Sequence, residues 1–265
     1  FTKYPGSYRS VVAGIDEPIN SKFSLGQVFY DDKSAKSALE TFGFMLSCSH
    51  KIIDKSTDRK GNHNLSVGLQ FGFFNTTLFP GNFTYDSQYS TSAVDGFDRS
   101  IWSGETFARQ SYYKFNANFG IYYRVHSNNK KLTGFGGFSI YNIPRPSLSF
   151  YDNGINTSLP LRFNLHGGAT YLLPKLTTLR AQVFYMNQAR AHELNVSLLW
   201  FSKIEGSLWE PVYGIGTRNK DALIFQLGIK FKGLVVKASY DVSINYAKAY
   251  RNQGFEFSLV NTFKK

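Results

Sequence analysis

The sequence predicts an all-β protein, an antiparallel transmembrane β-barrel of about 14 strands in a single domain over residues 1–265. Three observations predict it. Runs of roughly nine to eleven residues alternate apolar with polar or small side chains, the length a tilted strand needs to cross a bilayer. No stretch approaches the ~20 consecutive apolar residues of a spanning helix. Aromatic residues make up 17% of the chain, with 25 Phe, 17 Tyr and 23 Gly against 2 Met, a composition of strands and turns. The mean hydropathy of -0.26 fits, because such a barrel hides its lipid face in every second residue.

Taken in order, the elements begin with a broken strand near Tyr8 to Gly14, then Phe23 to Tyr30 and Leu39 to Ser49. In "NLSVGLQFGFF", Leu65, Val67, Leu69, Phe71 and Phe73 alternate with Ser66, Gly68, Gln70 and Gly72. In "KFNANFGIYYRV", Phe115, Ala117, Phe119, Ile121 and Tyr123 alternate with Lys114, Asn116, Asn118, Gly120 and Tyr122. Strands follow at Leu132 to Tyr141, at Leu161 to Leu173, where Phe163 and Leu165 oppose Arg162, Asn164 and His166, and at Leu179 to Asn187, Leu194 to Phe201 and Trp209 to Thr217. "DALIFQLGIKFKGLVVKASYDVSI" reads as a hairpin turning at Lys232-Gly233, with Phe231 facing Leu234, Leu227 facing Ala238 and Phe225 facing Tyr240 on one apolar side. The closing strand, Gly254 to Phe263, alternates Phe255, Phe257, Leu259 and Phe263 up to an aromatic near the end. The total is roughly thirteen, whereas bacterial single-chain barrels hold an even number. A further strand is expected before Phe1 or inside Thr77 to Tyr113.

Connection lengths carry topology. Pro174 to Leu176, Lys203 to Ser207 and Lys232-Gly233 are short and alternate with longer links such as Ile143 to Pro160 and Asn245 to Gln253, matching short periplasmic turns and long outer loops. Residues 77–113 then form a long extracellular loop or plug. Lys51 to His63 is long where a short turn belongs, and is expected either to break the parity or to form a periplasmic docking loop.

Chemistry is sparse. Cys48 is the single cysteine, so it has no internal disulfide partner, and the five His residues show no helical i, i+4 pair for a metal. No GxSxG surrounds a Ser, and "GFGGF" at Gly134 to Phe138 lacks the Lys and helix of a phosphate loop. No catalytic residue, cofactor or metal is expected, and the chain is read as a non-enzyme. The opening "FTKYPGSYRS" has no initiator Met or leader pattern, as in a processed or later-starting chain. The +12 charge is scattered along strands with no basic stripe or RNA-binding aromatic signature, which argues against nucleic acid and for a membrane lipid or anionic surface. Arg124, Arg162, Arg180, Lys203, Lys230 and Lys237, with Asp241 and Glu256, fall on expected inner faces. A charge facing lipid at the midplane costs about 2–4 kcal/mol, so inward placement with ion pairing is the simpler reading, and an anion-binding surface the functional one.

"NIPRPSLSF" (Asn142 to Phe150), "GTRNKDALI" (Gly216 to Ile224), "ASYDVSI" (Ala238 to Ile244) and "GFEFSLVNTF" resemble, in order and spacing, the PorP/SprF family of Bacteroidota outer-membrane proteins. At Ser7 to Ser10 "SYRS" is similar to the family's first strand, but Ser-Val follows where Gln-Trp is usual. The resemblance implies an outer-membrane barrel of type IX secretion and gliding motility. Its partner would be a secreted cargo protein, often an adhesin, whose C-terminal secretion domain it delivers or anchors at the surface; periplasmic or other outer-membrane parts of the machine are further implied partners. Arg218, Asp221, Tyr240 and Asp241 read as structural within these motifs, with Asp241 inward and Arg218 and Asp221 at an outer rim. On this reading Phe79, Phe83, Tyr85, Tyr89, Phe97, Arg99, Trp102, Arg109 and Tyr112 form a docking surface, since Tyr, Trp and Arg are common interface anchors. The alternatives are a loop that only plugs the lumen and a passive channel for small anions or hydrophobic solutes, with Tyr122, Phe184, Met186 and Phe201 partly filling it.

Overall fold

The computed structural model describes residues 8–34, 38–57, 61–128, 131–151, 157–174, 177–219, 222–244 and 254–263. Asp221 and the expected Asn245 to Gln253 connection lie outside these residues. Thirteen strands form one sheet in chain order, each antiparallel to the next. They are β1 (Arg9–Pro18), β2 (Phe23–Ser34), β3 (Leu39–Thr57), β4 (Gly61–Leu78), β5 (Ser111–His126), β6 (Leu132–Tyr141) and β7 (Arg162–Leu172). The remainder are β8 (Thr178–Gln188), β9 (Ala191–Phe201), β10 (Trp209–Arg218), β11 (Ala222–Phe231), β12 (Leu234–Ser243) and β13 (Gly254–Asn261). Among the described residues there is no α-helix, only the short 3-10 turns Pro80–Asn82 and Asp86–Gln88.

The alternation sets the two faces as expected. Phe231 pairs with Leu234, Leu227 with Ala238 and Phe225 with Tyr240. Phe225, Leu227, Ile229 and Tyr240 are all exposed on the convex side, as are Leu69, Phe71 and Phe73 of β4, Leu165 of β7 and Trp200 of β9. The concave side carries the polar set, and Asn116, Asn118 and Asn164 are buried there. The usual soluble arrangement is inverted: apolar side chains face out and polar ones in. In water an apolar surface of this extent would drive aggregation; against hydrocarbon it is neutral. A ten-residue strand spans about 33 Å, enough to cross a hydrocarbon layer when tilted.

The hairpin turn differs in detail from expectation. Lys232, not Gly233, takes the positive φ, at 51°. Gly233 is required for a different reason: a Cβ there would lie 2.2 Å from the Thr262 carbonyl oxygen, because the end of β13 closes against the turn through Thr262 N–H to Gly233 O at 3.0 Å.

Three other expectations are corrected. The first strand is continuous from Arg9 to Pro18, with Gly14 opposite Val28 in the ladder. Lys51 to His63 is no loop: β3 and β4 run on as a paired ribbon, from Lys51 opposite Ser66 to Thr57 opposite Gly61, with a bulge between Lys51 and Ile53. Only three residues separate the end of β3 from the start of β4, so the parity of short connections holds at that end. No strand hides between β4 and β5 either, where the described residues form 3-10 turns and one isolated bridge, Tyr89 with Phe97.

β1 and β13 are the two ends of the sheet. Because successive strands alternate in direction, these odd-numbered edges run the same way. The sheet nevertheless curls: Val12 of β1 and Gln188 of β8 line one cavity.

Candidate functional site

At the end of the sheet carrying the long connections, two loops stack over the concave face. The inner layer is formed by 142–151 and 157–161. Tyr141 ends β6, and Asn142 turns the chain inward with φ of 61°, a conformation asparagine tolerates better than most side chains. Its side chain then becomes the centre of a buried amide network. Asn116 Nδ2 donates to Asn142 Oδ1 at 2.9 Å, and Asn142 Nδ2 donates to Pro160 O at 3.1 Å. The Asn142 backbone N–H reaches Asn118 Oδ1 at 3.0 Å, and Asn118 Nδ2 donates to Gln70 Oε1 at 2.7 Å. Gln188 Nε2 adds a second donor to Pro160 O at 3.2 Å. Both ends of the loop are thereby tied to the inner face of β4, β5 and β8, and Leu148 and Leu159 are folded down as a roof.

The outer layer is 79–110. Its base is closed by Leu78 N–H to Gln110 O at 2.7 Å and Phe79 N–H to Ala38 O at 2.8 Å. Its interior is organised by buried Gln88, whose amide donates to Ile101 O at 2.9 Å while its own carbonyl accepts from Asp98 N–H at 2.8 Å. Tyr89 and Phe97 meet edge-to-face at 6.0 Å, and Arg99 pairs with Asp95 at 3.0 Å. A hydrogen bond from the Phe97 N–H, aided by Arg99, holds the Asp95 carboxyl below the usual carboxylate range; the Ser100 hydroxyl and N–H do the same for Asp98. The layers are joined by Ala108 N–H to Phe150 O at 2.9 Å and by the Tyr151 hydroxyl donating to Glu105 at 2.8 Å. That hydrogen bond raises the Tyr151 phenol above its ordinary value. Phe107 packs on Tyr151 at 5.1 Å.

Of the aromatic residues expected to dock a partner, Tyr89 and Trp102 are the most open, at 64% and 73% exposure. Phe79, Arg99 and Arg109 are exposed, while Phe83, Tyr85 and Phe97 are half-buried within the flap. Tyr112 is corrected: it lies in β5, faces the concave side and packs on Phe150 at 4.9 Å. The strand starts at Ser111 because Ser111 to Tyr113 pair with Asn75 to Thr77. Ile101, which the sequence reading passed over, is exposed beside Trp102.

The inner-face charges separate into three groups. Lys230 pairs with Glu210 at 2.7 Å, and Asp241 with Arg218 at 2.8 Å. Arg218 therefore projects to the concave side, bridging β10 to β12 across β11. Lys237 and Glu256 line the same small cavity, about 330 Å³, as that pair. Arg124, Arg162 and Arg180 stack instead on Tyr122, Tyr141 and Phe201 at 5.6, 4.4 and 5.4 Å. Lys203 is corrected: it is exposed in the 202–208 connection. Just before it, Ser202 N–H donates to Pro211 O at 3.0 Å, but Pro211 has no N–H to return the bond, so the β9–β10 ladder ends at Phe201 and Val212.

Two larger cavities lie against the concave face. One of about 630 Å³ sits under the roof of Leu148 and Leu159. The other, about 720 Å³, lies toward the short-turn end, lined by small and polar residues such as Ser47, Ser66, Gly68 and Gly120 with Arg124 and His166. Gln70, Asn118 and Tyr141 border both. Among the described residues no three His, Cys, Asp or Glu side chains come together as a metal site. The amide network was not anticipated, although "NIPRPSLSF" begins at its centre.

A sheet with an apolar outer face, a polar concave face and folded loops over one end defines a membrane-spanning β protein. The chain belongs to the PorP/SprF family: the family model for the type IX secretion system membrane protein PorP/SprF matches residues 1–260. It is accordingly an outer-membrane protein of a secretion-system family rather than of an enzyme family. No curated protein matches the chain. Solved structures similar to it include two variants of the porin of Rhodopseudomonas blastica. Both are 8% identical with TM-scores of 0.33; one match covers 96% of this chain and 89% of the porin, the other 97% and 91%.

Proposed function

We propose that this protein is a fourteen-stranded outer-membrane barrel that holds the C-terminal secretion domain of a type IX cargo protein at the cell surface. The stacked loops are its docking face. Support for the barrel comes from the sheet edges: β1 and β13 run the same way, so direct closure would need a parallel pair. One further antiparallel strand, from outside Arg9 to Asn261, closes the sheet with every pair antiparallel and leaves no edge in hydrocarbon, where unpaired backbone groups are not tolerated. The long loops then face outward and the short turns the periplasm.

The observation that carries the docking reading is the construction of the outer loop. A loop that only plugged a lumen would turn its aromatics inward. This one is folded on its own hydrogen bonds and leaves Tyr89, Ile101 and Trp102 open, residue types that anchor interfaces. Other components of the secretion machine would meet the periplasmic turns. The second reading, a passive channel, is favoured by the two cavities but opposed by the Leu148 and Leu159 roof.

The test is affinity purification from detergent-solubilised native membranes, comparing wild type with the Tyr89→Ser, Trp102→Ser double variant. Both side chains are exposed, so the flap keeps its internal hydrogen bonds and loses only the Tyr89–Phe97 ring contact. A large secreted protein that co-purifies with wild type and is lost from the variant supports docking. Equal recovery with both, or no secreted protein with either, overturns it.

A further inference from the structure

We propose that the cavity beneath the inner loop binds a small amphipathic carboxylate, an anion of the fatty-acid type, with Arg162 as its charge partner. This goes beyond the cargo reading and does not rest on it.

The lining is mixed: apolar walls and one cationic side chain, with neutral polar groups such as Thr41, Thr76, Gln70 and Asn116 between them. Val28, Met45, Phe74, Tyr112, Leu148 and Leu159 supply the apolar walls, and Arg162 enters from the start of β7. Its guanidinium carbon lies over the Tyr141 ring, 4.4 Å from the centroid. Its Nε is buried and has no hydrogen-bond partner, and Arg162 forms no ion pair among the described residues. Asp32 also borders the cavity but is solvent-exposed and makes no bond to it.

A buried N–H of a guanidinium without an acceptor is costly and calls for an occupant. The planar fork matches a carboxylate in two parallel hydrogen bonds. The contrast with the neighbouring arginines is informative: the Arg124 guanidinium donates to the Tyr122 hydroxyl at 3.3 Å and Arg180 Nε to Thr170 Oγ1 at 3.2 Å. Inorganic anions alone do not suit this lining, since a charge without an apolar body leaves the walls unfilled. A folded partner does not suit it either, because about 630 Å³ is the size of a small-molecule pocket.

The experiment uses the full-length protein in lipid nanodiscs, with dansyl-labelled undecanoate as the probe and decanoate or decanol as competitors. Decanoate should displace the probe at a concentration about tenfold or more below decanol, the margin of a charge-assisted bidentate contact. Arg162→Gln should remove that margin, while Arg124→Gln, in the other cavity, should keep it. Arg162→Lys, which retains charge but loses the fork, should fall between. Heat-modifiable migration in gels checks that each variant is folded. If Arg162→Gln fails to insert, the decanoate and decanol comparison on wild type decides alone. Equal potency of the two competitors, an unchanged margin in folded Arg162→Gln, or no saturable probe binding above empty nanodiscs would each overturn the proposal.

Discussion

Replacing Asn142 with glycine tests whether the buried amide network holds the inner loop over the concave face. Glycine accepts the φ of 61° without strain, so the change removes hydrogen bonds and little else. The backbone N–H to Asn118 survives. Two side-chain bonds are lost, and their partners fare differently. Pro160 O keeps Gln188, so that loss costs an ordinary net bond, about 1 kcal/mol. Asn116 is buried and its amide donor is orphaned, at about 1–3 kcal/mol. The loop should therefore be weakened by about 2–4 kcal/mol, a factor of roughly 30 to 700 in its opening equilibrium. Hydrogen exchange in nanodiscs reads this at the Ile143 amide, bonded to Ala117 O at 3.0 Å, and the Leu159 amide, bonded to Pro146 O at 2.9 Å. Both should lose protection by that factor while β6 and β7 amides change little. Protection at Ile143 within threefold of wild type, or loss spread evenly along β6 and β7, would refute the role given to the network.

The remaining predictions concern the faces, the ion pair and the flap. Leu227→Lys puts a charge in the middle of the apolar face, where Leu227 is 64% exposed, and should destabilise the protein by about 2–4 kcal/mol in reversible unfolding from vesicles. Gln226→Ser, on the concave side, should change it by less than about 1 kcal/mol, and equal effects would contradict the face assignment. A double-mutant cycle of Arg218→Met with Asp241→Asn should give a coupling of about 1–2 kcal/mol, between exposed and buried pairs, because the two side chains are 35% and 17% exposed; zero coupling would make the contact incidental. The depressed Asp95 and Asp98 carboxyls stabilise the flap in their ionised form. That contribution is complete above the ordinary carboxylate value of about 4 and lost as pH falls through the lower folded values. Limited proteolysis of 79–110 should be unchanged between about pH 7 and 5 and rise only below about 4. A rise between 7 and 5 would assign the flap's stability to other groups.

Much of this molecule is written in period-two alternation. Strand side chains must point to opposite faces, so the order of Phe225, Gln226, Leu227 and Gly228 dictates which residues meet lipid, and a one-residue slip would reverse both faces. For that reason the β11–β12 register, the antiparallel order and the inward direction of Asp241 were readable from the chain alone. Breaks in pattern were harder: Lys51 to His63 reads as a loop because its side chains are polar, yet the ladder continues there through backbone bonds that side-chain polarity does not report. Lys203 fell on the inner face by counting, but the missing N–H of Pro211, eight positions away in sequence, ends that strand. Loop placement was decided entirely in three dimensions. Nothing local tells Asn142 to meet Asn116, Asn118 and the Pro160 carbonyl, or sends Trp102 outward. Those outcomes depend on which buried polar groups can satisfy one another once the strands have brought them together, and that is a property of the curled sheet rather than of any segment.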